Sequence, residues 1–210
     1  INNPLGIIGN YLMAIKLTLS EKPDVQSDLV IIEEEIQRIA NLVAQMGSFS
    51  QAPFTVFEEV DLNLLVQKIV RMLESSLFAG DDLQISFIPG SGLGSIVTST
   101  DAVKQILINL LKNAAEALTE GGRVIVRTTR STQGESKEDS GVEIVVSDTG
   151  PGLPEKVKEN LFTPFITTKE GGHSGLGLSI IQRMVRDIGG QIACTSSRKE
   201  GTTFKIHLPR

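Results

Sequence analysis

The chain has 210 residues, a formal net charge of −5 and an ordinary 40% hydrophobic content, which suits a soluble globular protein and gives no overall basic excess to point to nucleic acid. No run reaches the ~18–20 apolar residues of a membrane span, so no membrane contact is expected of these residues. The single cysteine, Cys194, cannot form an intrachain disulfide, and its alternating apolar-polar setting reads as a structural thiol in a reducing, cytoplasmic compartment.

The chain opens on Ile1-Asn2-Asn3-Pro4 without an initiator methionine. It reads as a fragment whose parent is either soluble or membrane-anchored. Leu5, Ile8, Leu12, Ile15 and Leu19 step by threes and fours, and the stepping returns at Leu29, Ile32, Ile36, Ile39, Val43 and Met46. This is a heptad seam on two helices joined by the short Glu21–Asp24 turn, hence an antiparallel hairpin. One hairpin cannot bury such a stripe alone, so residues 1–48 are expected to pair with a second copy as a four-helix bundle.

Residues 49–59 read as a linker with no sustained period. Asp61 is placed to cap a helix carrying Leu62, Leu65, Val66, Ile69, Val70, Leu73 and Leu77. Strands are expected at 83–88 and 95–98, a strongly apolar helix over 101–119, and strands at 123–132 and 142–148. A helix over 176–188 and strands at 191–197 and 203–208 complete the pattern. The predicted fold class is α+β: the helical hairpin, then an α/β sandwich over 60–210 with helices on one face of a mainly antiparallel sheet.

Four clusters in the second half carry chemistry. Asn109 and Asn113 lie four apart and project from one helix face; an amide oxygen is a neutral, hard ligand for Mg²⁺ already held by phosphate oxygens. Asp148 ends a strand before Thr149-Gly150-Pro151-Gly152. Its carboxylate could accept from an exocyclic amine such as adenine's, while Gly150 and Gly152 let backbone lie against a planar ring. Asp-Thr-Gly also fits an aspartic-protease strand, but a second copy would then be expected and there is none.

Gly171-Gly172-His173-Ser174-Gly175-Leu176-Gly177 leads into a helix N-terminus suited to polyphosphate, with Lys169 as an added point charge. Its length suggests a lid. Gly201-Thr202-Thr203-Phe204 opens the last strand.

In this order, Asn-x₃-Asn, Asp-x-Gly-x-Gly, Phe162-x₂-Phe165, Gly-x-Gly-Leu and Gly-Thr-x-Phe resemble the N, G1, F, G2 and G3 boxes of histidine protein kinases. Asn113-Ala-Ala-Glu-Ala and Phe165-Ile-Thr-Thr-Lys look most like the nitrogen-regulation type. The resemblance implies ATP and Mg²⁺ as ligands: Asn113 on the metal, Asn109 on metal or phosphates, Asp148 on adenine, residues 171–177 as the ATP lid, and Gly172, Gly175, Leu176, Gly177 and Thr203 at the nucleotide. It further implies homodimerisation through 1–48, an upstream sensor domain and a response-regulator receiver domain as partner. Glu116 and Ala117 depart from the basic and aromatic residues many members carry.

The related ATPases gyrase and MutL place a water-activating glutamate four residues before the metal asparagine. Here that position is Asn109, which cannot act as a general base. An imidazole acceptor is itself a nucleophile and needs none, so the site reads as phosphoryl transfer to histidine, then to a regulator aspartate.

Ile1-Asn-Asn-Pro-Leu5 resembles the tail of the His-Glu-x-x-Asn-Pro-Leu box. The acceptor histidine would then lie two residues before Ile1, and Asn3 would match the amide that orients water when a regulator is dephosphorylated. His173 and His207 suit neither role, so these residues are expected to bind nucleotide without phosphorylating themselves. The alternative is a catalytically inactive, kinase-like dimeric scaffold. An anti-sigma-type serine kinase would lack the heptad hairpin.

Overall fold

The computed structural model describes residues 56–78, 82–131, 141–158, 160–163 and 177–210, together with Ile15, Val25, Leu29 and Ile32. Those four are each helical, with Leu29 buried and Ile15 and Ile32 exposed. The rest of the expected hairpin, including most of its seam, and Asn3 lie outside the described residues.

Strand β1 (Glu58–Asp61) begins inside the segment expected to be linker and pairs antiparallel with β3 (Ser95–Thr98) as a two-stranded ribbon. Helix α1 (Leu62–Leu77) starts where Asp61 accepts the Leu64 N–H at 3.0 Å, a side-chain N-cap. Its buried residues Leu62, Val66, Ile69, Val70 and Leu73 step by threes and fours along one face. Helix α2 (Thr100–Ala117) is capped by Ser99 and buries Ala102, Val103, Ile106, Leu107, Leu110, Leu111 and Ala114.

The main sheet has five strands in the order β2-β4-β5-β7-β6, where β2 is Leu83–Ile88, β4 Gly122–Arg130, β5 Val142–Asp148, β7 Gly201–Leu208 and β6 Gln191–Ser197. Only β2 and β4 run parallel; the other neighbours are antiparallel. A one-turn helix, α3 (Glu155–Lys158), precedes α4 (Gly177–Asp187). Helices α1, α2 and α4 cover one face, and alternate residues such as Val124, Val126, Ile144, Val146, Phe204 and Ile206 point into that core. The opposite face carries Arg123, Arg127, Glu143, Ser147, Thr203, Lys205 and His207, none of them buried. This is the two-layer sandwich expected.

After α2 the chain turns through Gly121 and Gly122, both at positive φ. The Gly122 N–H donates to the Asp82 carbonyl at 2.8 Å, which starts β4 beside β2. No described helix is long and apolar enough to cross a membrane.

Candidate functional site

The site forms where β5 ends against the last turns of α2. Asp148 shares the helix-covered face with Val142, Ile144 and Val146, yet it is a carboxylate with only 7% of its surface exposed. One oxygen, Oδ1, accepts from the Gly150 N–H at 2.9 Å and the Thr202 N–H at 3.2 Å. The other oxygen takes no part in either bond. Burial pushes the carboxyl pKa up from its usual value, against the opposing pull of those two backbone donors. A desolvated, oriented acceptor with one oxygen to spare is suited to an amine on a flat, apolar ligand.

The chain around Asp148 is tightly drawn. Gly201 has φ +77°, and a Cβ there would run into the Asp148 backbone carbonyl. Gly152 has φ +74°, and its Cβ would collide with the Ser197 backbone. Thr149 Oγ1 accepts from the Arg123 N–H at 3.0 Å, while its own N–H donates to the Arg123 carbonyl at 3.1 Å. The loop from Asp148 to Leu153 is thus pressed between β4 and the edge strand β6. Its far end is fixed by the Leu153 N–H, which donates to Ser196 Oγ at 2.8 Å.

Asn113 lies one turn before Ala117, whose carbonyl sits beside Gly150. The C-terminal half of α2 is therefore at the Asp148 end of the sheet. Asn109 and Asn113 are both half-buried at the margin of the helix's apolar face. Lys112 and Glu116 form a long, exposed-side pair at 4.0 Å. Among the described residues no three His, Cys, Asp or Glu side chains form a metal-sized cluster.

The structure brings together Asp148, Gly150 and Gly152, with Asn109 and Asn113 on the helix whose last residue, Ala117, reaches Gly150. Gly177 is the first residue of α4. Lys169, Gly172, Gly175 and Leu176 lie outside the described residues, as do Phe165 and His173. Thr203, expected at the nucleotide, lies on β7. It pairs with Ser147, donates to that hydroxyl at 3.0 Å, and so sits on the open face of the sheet. Thr202 is the buried residue beside Asp148. The parity of Phe204, Ile206 and Leu208 could have identified it, because position 202 shares their core-facing side.

Cys194 faces the same layer from β6. Burial first, then the nearby Asp148 charge, raises its thiol pKa to about 11, so it stays protonated and inert at neutral pH. His207 is paired with Glu143, five residues along β7 from Thr202, and takes no part in the site.

Known proteins share this fold. The family described as histidine kinase-, DNA gyrase B-, and HSP90-like ATPase matches residues 98–210, more than half of the chain. The chain is similar to the sensor kinase CckA of Brucella abortus, with 35% identity over 192 residues, covering 87% of this chain and 20% of that protein. It is also similar to the sensory histidine kinase/phosphatase NtrB of Rhizobium leguminosarum bv. phaseoli, with 33% identity over all of this chain and 55% of that protein.

Among solved structures, the catalytic domain of histidine kinase ThkA superposes with a TM-score of 0.61 at 30% identity, covering 74% of this chain and 96% of that one. ThkA in complex with the response regulator protein TrrA gives 0.71 at 28% identity, covering 99% of this chain and 58% of that one. The chain spans only 20% to 55% of the length of these two curated relatives.

Proposed function

Because the chain belongs to the histidine kinase-, DNA gyrase B-, and HSP90-like ATPase family, we propose that it is the ATP-binding and phosphotransfer part of a sensor histidine kinase. ATP binding follows from the family; the observation that carries it to particular residues is Asp148. Its buried carboxylate holds one oxygen on two backbone donors and leaves the other for the adenine amine. Gly150 lies against the hydrogen-bonded Oδ1, and Gly152 against the Ser197 backbone, so neither position has room for a side chain.

ATP, when bound, supplies a phosphoryl group activated for transfer, and Mg²⁺ screens its charge. Asn113 is assigned to the metal and Asn109 to metal or phosphates. Both are amides on one face of α2, at the end of the sheet where Asp148 lies. Neither can take a proton from water, so the helix lacks the base a hydrolase needs at this position. That favours an imidazole acceptor on the hairpin, followed by a regulator aspartate. The ThkA–TrrA complex supports a receiver domain as partner. Residues 171–177, with Lys169, are assigned to a lid over the phosphates, and residues 1–48 to the homodimer that presents the acceptor. Asn3 is assigned to orienting water in regulator dephosphorylation.

Titration calorimetry with Mg-ATP tests the site. Asp148→Ala and Asn113→Ala are each expected to weaken binding by at least about 100-fold, the loss of a buried polar partner or of metal support. Oligomeric state by light scattering is expected to stay unchanged. Affinity like the wild type in both variants would remove the assignment.

A further inference from the structure

We propose that Ser196, on the edge strand β6, is a positioning residue that sets Asp148 for recognition of the adenine amine. This rests on the nucleotide-site reading above and adds a residue outside the sequence boxes that suggested it. The Ser196 hydroxyl is the junction of three segments. It accepts from the Leu153 N–H at 2.8 Å, donates to the Gly201 carbonyl at 3.2 Å, and lies 3.1 Å from Thr202 Oγ1. A serine hydroxyl has one proton, so with that proton on Gly201 the Thr202 hydroxyl is the donor in the third contact.

Each of those contacts leads back to Asp148, two through β7 and one through the 150–153 loop. The Thr202 N–H holds Asp148 Oδ1, and the Gly201 backbone lies against the Asp148 carbonyl. Leu153 ends the loop whose other end, Gly150, donates to the same Oδ1. The loop 150–153 is therefore stapled at one end by the carboxylate itself and at the other by Ser196. Backbone amides on either side orient the carboxylate, and Ser196 orients both segments that supply them. A strand at the sheet edge has no neighbour beyond it to hold its position, so this cross-link also joins β6 to the centre of the site.

The group acts through Asp148, so its removal should be felt in recognition of the amine more than in the fold. Calorimetry on the full chain would compare Mg-ATP with purine riboside triphosphate, which lacks the 6-amino group. Ser196→Ala is expected to weaken Mg-ATP binding about ten-fold, the worth of one oriented hydrogen bond, and to weaken the amine-free nucleotide much less. The ATP preference therefore narrows. Ser196→Thr, which keeps the hydroxyl, is expected to restore it.

Unchanged ATP affinity in Ser196→Ala would overturn the proposal. So would an equal loss for both nucleotides accompanied by a lower melting temperature, the pattern of a hydroxyl that only holds the fold. A wild-type chain that binds the two nucleotides equally would instead remove Asp148 as the amine reader, and this proposal with it.

Discussion

Two polar clusters, each with a buried member, sit at opposite ends of the sheet, and only one is left open. At the end of β4, Thr128 Oγ1 donates to Asn63 Oδ1 and accepts from the Gly90 N–H at 2.9 Å. Asn63 Nδ2 then donates to the Gly90 carbonyl at 2.8 Å. The ring closes on itself and ties the first turn of α1 to the loop between β2 and β3. Arg130 and Arg210 fasten the same loop through the Gly92 and Leu93 carbonyls. At the end of β5, Asp148 has two backbone donors on one oxygen and neither on the other. A closed ring rigidifies; an open one offers a bond. That difference sets the proposed site apart from a purely structural cluster.

The largest effect that would break the comparison is in Asp148→Asn. Asparagine keeps an Oδ1 for the Gly150 and Thr202 donors but turns an NH₂ toward the ligand amine. ATP binding measured by calorimetry is expected to fall about 1,000-fold, because a site built for one hydrogen-bond polarity rejects the other strongly. Stability should move the opposite way. Burial raises the folded pKa of Asp148 above 3.8, so the protonated form is the one the fold favours. That contribution is fully present below 3.8 and is lost as pH rises through the raised folded value. At neutral pH the ionised group is a cost, so the melting temperature of Asp148→Asn should equal or exceed the wild type. Wild-type affinity should fall as pH drops toward that raised pKa. A clear loss of stability in Asp148→Asn would make this cluster a second structural ring.

Gly201→Ala is expected to affect both properties together. A Cβ at φ +77° is strained and would push on the Asp148 carbonyl, at about 2–3 kcal/mol of unfolding free energy. Denaturant titration should show the loss, and calorimetry a weaker ATP complex, since the displaced backbone is that of Asp148. A variant as stable as the wild type would show that β7 and the Asp148 turn can separate freely.

Much of this is legible in the sequence. The stepping of α1 and α2 is strong and local, and Asp61 announces its helix, so both fall within a residue or two of their expected bounds. Asp148 stood out because a carboxylate ends an alternating apolar strand just before Gly-x-Gly. β1 did not stand out. Glu58-Glu59-Val60-Asp61 has one buried residue, and its strand character comes from pairing with β3, which no local pattern reports. The four-residue α3 is too short to carry a period. Thr202 and Thr203 adjoin with similar side chains, and only the strand's parity separates the buried one from the one on the open face. The closed ring at Thr128 was illegible, because its three members come from α1, a loop and β4.

The smallest expected effect, and the sharpest control, is Thr128→Val. The shape is kept and the hydroxyl removed, leaving Asn63 Oδ1 and the Gly90 N–H without their partner. Thr128 is buried, so the two orphaned groups should lower stability by about 1–2 kcal/mol in denaturant titration. Nucleotide affinity should stay within about two-fold of the wild type, since well-separated sites contribute independently. In the register, Thr128 stands opposite Ile144, while Asp148 stands opposite Val124. A drop in ATP binding on losing this hydroxyl would mean that the two ends are coupled through β4 and β5. The closed ring would then belong to the site's machinery as well as to the fold.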